Sequence, residues 1–171
     1  MSAAPLRFEA EDGSFAAELD ADALGSLAAG EGLESPWTLA EAPDWARYEA
    51  LRLLAAVFAD GSITAVVALR PTGAAGHDAE VVSALLVDRG KSAESVHEAL
   101  FSTELDGERR VRRVGVEIWT SEEPPPRRLA ADRTHAQTSD SDGLERESVV
   151  MDARLDGARG TAVVDVFRPA G

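Results

Sequence analysis

The dipeptide Asp-Gly occurs five times, at Asp12-Gly13, Asp60-Gly61, Asp106-Gly107, Asp142-Gly143 and Asp156-Gly157. No other feature limits the fold as much. A type I′ hairpin turn matches the right-handed twist of its strands but needs φ > 0 at both central residues. Glycine meets that demand without steric penalty, and Asp tolerates it better than most side chains. Alternating residues on both sides of such a pair read as two antiparallel strands. The first case is LRFEAEDGSFAAEL: Leu6, Phe8 and Ala10 alternate with charged residues, and Phe15, Ala17 and Leu19 answer them across the turn.

Residues 20 to 44 break the pattern. Asp20 caps a short helix predicted over about Ala21–Ala29, Gly30 stops it, and Pro36 and Pro43 mark an irregular cover segment. The next stretch, WARYEALRLLAAVFADGSITAVVALRP, fits helical spacing over residues 45 to 58. It also fits a hairpin around Asp60-Gly61, and the β-rich SITAVVALR favours the hairpin. Phe58 then pairs with Ile63, Ala56 with Ala65 and Leu54 with Val67.

Residues 79 to 120 read as a three-strand meander turned at Arg89-Gly90 and Asp106-Gly107. Both turns send His97 inward, between Val82 and Val116. The second sets Ala99 beside Val114 and Glu104 opposite Arg109, a favourable charge pair, and it predicts a left-handed Gly107, where valine would be strained. A further hairpin around Asp142-Gly143 pairs Ala136 with Val149, Thr134 with Met151 and Ala130 with Leu155. Asp132 then lies on the inward row, facing Ala153, while His135 points outward. The last strand, TAVVDVFRP, sets Val164 beside Met151 and Val166 beside Val149.

The prediction is therefore a single all-β domain over residues 1–171. Residues 1–44 form a hairpin, one short helix and a cover. Residues 45–171 form an antiparallel meander that closes into a lipocalin-like barrel or a curved sandwich, removing its edges.

Composition narrows the function. There is no cysteine, which excludes disulfides, thiolate metal sites and cysteine nucleophiles. The net charge is −14, from 31 acidic and 17 basic residues, which argues against nucleic acid and anionic membrane surfaces as partners. Lys91 is the one lysine. Arginine in its place, with abundant Ala, Gly, Asp and Glu, points to a GC-rich bacterial genome. No apolar run reaches membrane-span length and the N-terminus lacks a secretory pattern, so a cytoplasmic location is expected.

Four groups of residues carry candidate chemistry. An inward His97 with Asp132 on a neighbouring row would form an acid/base pair. Phe101, Thr134 and Met151, with Trp119, are the candidate ligand contacts. The run ERRVRRV offers Arg109, Arg110, Arg112 and Arg113 either as an anion site or as local charge balance. His77 beside Asp78 lacks any metal-ligand spacing, and TGAAG lacks the Lys-Ser/Thr of a phosphate loop, so no metal and no cofactor is expected.

The stretch VDRGKSAESVHEALFSTELDGERRVRRVGVEIW, within the block from Ala79 to about Arg168, resembles the C-terminal half of lipocalin-like proteins of the hydroxyneurosporene synthase (carotenoid hydratase, AttH-like) type. The shared features are a strand ending in a Gly turn, an EA..ST..DG hairpin and a basic–apolar strand. The resemblance implies a lipocalin-like fold and carries over no catalytic residue. The expected function is binding of a small, mostly apolar molecule in the barrel cavity. Its rivals are an acid/base hydratase, isomerase or cyclase using His97 and Asp132, and a non-catalytic interaction module with a filled core. Self-association into a homo-oligomer is left open.

Overall fold

The computed structural model describes residues 6–10, 15–31, 34–75, 80–87, 93, 94, 96, 98–120, 125–141 and 143–169. Three short strands come first or flank the helix: β1 (Leu6–Glu9), β2 (Ala16–Leu19) and β3 (Trp37–Glu41), with α1 (Ala21–Ala28) between the second and third. Nine follow: β4 (Tyr48–Phe58), β5 (Ile63–Pro71), β6 (Val81–Val87), β7 (Ala93–Glu94), β8 (Glu98–Leu105), β9 (Val111–Trp119), β10 (Arg127–Ser141), β11 (Leu144–Leu155) and β12 (Ala158–Pro169). The first three strands form one antiparallel sheet in the order 1-2-3. The other nine form a second, in the order 7-6-5-4-12-11-10-9-8, which curls into a nearly closed barrel. Its two halves are meanders, β4 to β7 and β8 to β12, joined by the pairing of β4 with β12.

The residues that make α1 are those the pattern predicts. Asp20 accepts hydrogen bonds from the N–H groups of Asp22 and Ala23, satisfying two of the helix's orphan donors. Gly30, at φ +78°, ends it. Leu24 and Leu27 are its buried face.

Two apolar clusters result. One fills the barrel interior, from Leu54, Ala56 and Phe58 round through Phe101, Val116, Met151 and Val164. The other lies outside, where the N-terminal sheet and α1 cover β4, β5 and β12: Phe8, Leu19, Leu24 and Trp37 pack on Leu53, Val67, Val163 and Phe167. Strand β4 is thus buried on both faces from Leu51 to Ala56. That explains the ambiguous spacing of LRLLAAVF: a strand covered on both sides reads as a continuous apolar run.

The turns depart from the predicted geometry in instructive ways. Asp156-Gly157, with φ of 49° and 89°, is a two-residue turn joining Leu155 to Ala158. Asp60-Gly61 sits instead in a three-residue loop: Phe58 N–H donates to Ser62 O, and Gly61 alone takes φ +86°. Val57 therefore pairs with Ile63, one residue away from the predicted register. Both faces of these strands are apolar, so hydrophobic patterning gave no means of rejecting the slip.

At Asp106 the left-handed residue is Arg109, at φ 65°, not Gly107. The carboxylate of Asp106 accepts from the N–H groups of Glu108 and Arg110 and holds this wider loop. Ala99 consequently faces Ile118 and Phe101 faces Val116. The shift from prediction is an even number, so the inward face is unchanged. Glu104 forms its ion pair with Arg112 rather than Arg109. The last strand slips by two in the same way, setting Met151 opposite Ala162 and Val149 opposite Val164.

Two further corrections concern the meander. Among the described residues its middle strand divides: β7 pairs with β6 at Leu86 and Val87, and β8 pairs with β9. Leu86 faces Glu94 rather than Ala93. In the β10–β11 hairpin the predicted register holds from Ser141 back to His135, and Ala136 faces Val149. A bulge at Thr134 then moves every earlier residue by one, so Leu129, Ala131 and Arg133 face Leu155, Ala153 and Met151.

Two outcomes test this account. Gly157→Val should lower stability by about 1–3 kcal/mol, the cost of a strained backbone position, while Gly107→Val should leave the urea midpoint nearly unchanged. Hydrogen bonds from the Arg110 N–H, then the Arg133 guanidinium, hold the Asp106 carboxyl below the usual carboxylate range. Its contribution to stability is complete above the ordinary carboxylate pKa and is lost as pH falls through the lowered one. Acid unfolding of Asp106→Asn should therefore show a shallower pH dependence than the parent protein.

Candidate ligand-binding site

The barrel interior is packed. Phe101 and Met151 have no exposed surface and lie in one cluster with Leu54, Val116 and Val164. Of the four predicted ligand contacts the structure brings these two together, and they fill the interior themselves. Trp119 is half-buried at the end of β9, opposite Glu98. Thr134 is the bulged residue, exposed, its hydroxyl donating to Val150 O at 3.0 Å.

The proposed acid/base pair does not assemble as expected. The bulge at Thr134 turns Asp132 to the outer face, opposite Asp152 instead of Ala153. There its side chain is 61% exposed and paired with Arg113 Nε at 2.7 Å. His97 and His77 lie outside the described residues. His135 is exposed, as its outward register predicts. The run of arginines provides charge balance: Arg110 pairs with Glu145, Arg112 with Glu104 and Arg113 with Asp132.

What the sequence reading missed is a set of charged side chains on apolar rows. Arg52 extends into the interior from β4. Its guanidinium lies 4.4 Å from the Phe101 ring centroid and donates to Glu80 at 2.5 Å. A long contact of 3.5 Å reaches Thr103 on β8. Glu80, just before β6, also accepts from Arg70, which in turn holds Glu49. Burial pulls the Arg52 guanidinium below its ordinary pKa, and the Glu80 carboxylate opposes that shift. The group ties β4 to the two strands, β6 and β8, whose edges approach each other with no hydrogen-bonded ladder among the described residues.

Glu147 is a second example. It is fully buried on β11 and accepts from Val111 N–H at 2.9 Å, while Arg133 donates to Val111 O. The ladder between β9 and β10 ends at Asp132 and Arg113. Two side chains thus satisfy the backbone of Val111 beyond the point where the bulge carries β10 away. A charged residue on an otherwise apolar row, Arg52 in LRLL and Glu147 ahead of Val149 and Met151 in ESVVM, was the available signal.

Open space lies outside the barrel. A groove of about 380 Å³ runs between the first hairpin and the β5–β6 edge. Phe15, Val67, Val81 and Val82 supply its apolar wall, and Glu9 and Ser83 its polar groups. The pairing of Val67 with Ser83 and of Leu69 with Val81 puts this stretch of β6 on the outer face. The N-terminal sheet leaves it partly uncovered, and Val81 is 48% exposed.

No protein-family model matches the chain, and no curated protein matches it. The functional reading therefore rests on the geometry. Among the described residues no helix is long and apolar enough to cross a membrane.

The Arg52 group gives a direct test. Arg52→Met removes one partner of a buried pair and should cost on the order of 3–5 kcal/mol. Adding Glu80→Gln should recover part of that loss, since Arg70 keeps Glu49. Urea denaturation of the two variants measures both effects.

Proposed function

We propose that the protein binds a small, mostly apolar molecule in the outer groove between its first hairpin and β5–β6. The observation that carries this reading is the groove itself, about 380 Å³ with Phe15, Val67, Val81 and Val82 along it. Small-molecule sites have volumes of roughly 300–1,000 Å³, apolar linings and a few fixed polar groups. Here Ser83 and Glu9 are those groups, and Glu9 is already paired with Arg7 at 2.5 Å. A neutral ligand with one hydroxyl or amide suits them better than an anion does. An apolar ligand is also what the lipocalin-like resemblance leads one to expect, although the proposed site is outside the barrel and not within it.

A second reading, a non-catalytic interaction module, is favoured by the packed interior, where Phe101 and Met151 are wholly buried. The two readings separate on dye binding. The neutral dye N-phenyl-1-naphthylamine should gain fluorescence saturably on addition of the protein. Ser83→Phe, which fills the groove from a partly exposed strand, should abolish the gain without lowering the thermal midpoint. Absence of a saturable gain, or a gain that Ser83→Phe leaves intact, would reject the groove and favour the interaction module.

A further inference from the structure

A second cavity, of about 390 Å³, lies between the start of β3 and the outer face of the β10–β11 hairpin. It is separate from the apolar groove, and nothing in its reading depends on that groove. Its character follows from strand register. On the outer face, Gln137, Ser148 and Asp165 are successive cross-strand neighbours, as are Ser139, Arg146 and Phe167. The covered apolar face of Val150 and Val163 gives way here to a polar row. The N-terminal layer ends over it, so that Asp165 is covered while Gln137 is exposed.

At the covered end the hydrogen bonding is incomplete. Asp165, with no exposed surface, accepts at Oδ2 from Ser35 Oγ at 2.6 Å and from Arg146 Nη2 at 2.5 Å. Arg146 Nη2 also donates to Trp37 O at 2.9 Å. In these same three residues three buried side-chain atoms have no partner among the described residues: Asp165 Oδ1, Arg146 Nε and Trp37 Nε1. Trp37 is only 2% exposed, and both Trp37 and Arg146 line the cavity. A buried polar group left unpaired is costly, so three in residues that touch one another call for polar partners.

Their chemistry selects those partners. One atom is an acceptor and two are N–H donors. An anion would serve the donors and be repelled by the Asp165 carboxylate. A cation would serve Asp165 and offer nothing to Arg146 and Trp37. A hydroxyl group both donates and accepts, and carries no charge into a site where Arg146 and Asp165 already neutralise each other. Most of the remaining wall is neutral and polar, with Thr38, Gln137, Thr138 and Ser148, and the one further charge, the exposed carboxylate of Glu34, also disfavours an anion. We propose that this cavity binds a neutral polyhydroxylated molecule, a polyol or sugar, whose hydroxyls meet the unpartnered polar groups of Arg146 and Trp37 and, behind them, Asp165.

The test follows the three indole N–H signals of the full chain in ¹H–¹⁵N spectra during titration with D-glucose, maltose and glycerol, and separately with sodium phosphate. The expected result is a saturable shift of the Trp37 Nε1–H signal with at least one neutral polyol, no shift with phosphate, and an unmoved Trp119 signal as reference. Ser148→Leu, which blocks the wall, should remove the shift. Gln137→Leu, at an exposed position of the same row, should weaken it by several-fold and serves if the first variant does not fold. No saturable shift with any polyol would mean that water alone meets the three atoms, and would overturn the proposal. A shift with phosphate but not with polyols would overturn it in favour of an anion site. A polyol shift that survives both variants would place the binding elsewhere and overturn it as well.

Discussion

The barrel depends on how Arg52 is held. Curling nine strands round one interior brings β6 and β8 together, yet among the described residues no backbone ladder joins them. The guanidinium of Arg52 reaches from β4, two places from β6 in the sheet order, to Glu80, and across the interior to the Phe101 ring and towards Thr103. It acts in place of the missing hydrogen bonds. Apolar contacts from Val82, Ala84 and Ala99 complete the seam. The pair stands where burial would otherwise penalise both charges, and only their mutual contact, with Arg70 beside Glu80, makes the arrangement tolerable.

The same logic runs through the rest of the molecule. Charged side chains satisfy backbone groups that strand pairing leaves open at two further places: Glu147 and Arg133 at Val111, and Arg146 at Trp37 O. The acidic excess of the chain is therefore only partly a solubility device. Several carboxylates have fixed structural partners, and the arginines that outnumber lysine supply the forked donors those partners need. The N-terminal layer adds a second constraint. By covering β4, β5 and β12 it leaves two uncovered margins, one apolar beside β6 and one polar beside β11, and the two grooves lie there.

The antiparallel all-β architecture, the helix and its cap, and the hairpin at residues 45–71 were legible from turn residues and alternation. Registers were legible only in part. An even slip, as at Met151 with Ala162, leaves the inward face intact, so Phe101 and Met151 were rightly placed on it. An odd slip does not, and the bulge at Thr134 moved Asp132 from the inward row to solvent. Nothing local announces that bulge, because ADRTHAQT alternates equally well in both registers. The Asp-Gly pairs marked where turns occur but not how many residues each turn holds. The candidate sites were less legible still. The polar row Gln137–Ser148–Asp165 unites residues from three strands, and Ser35 joins it from a segment with no periodic signal.

The pairing of β4 with β12 carries a kinetic consequence. Seven strands separate them along the chain, so the contact that unites the two meanders closes a very long loop. Until it forms, β4 has an unpaired edge and two apolar faces, and its neighbour β5 can protect only one edge. A chain in which this pairing has not formed therefore exposes an edge prone to aggregation. Gly160 constrains that pairing: a Cβ there would strike Val57 O and the Phe58 ring, so the two strands meet at a distance only glycine allows. The pairing that spans the most sequence is thus also one with little steric tolerance.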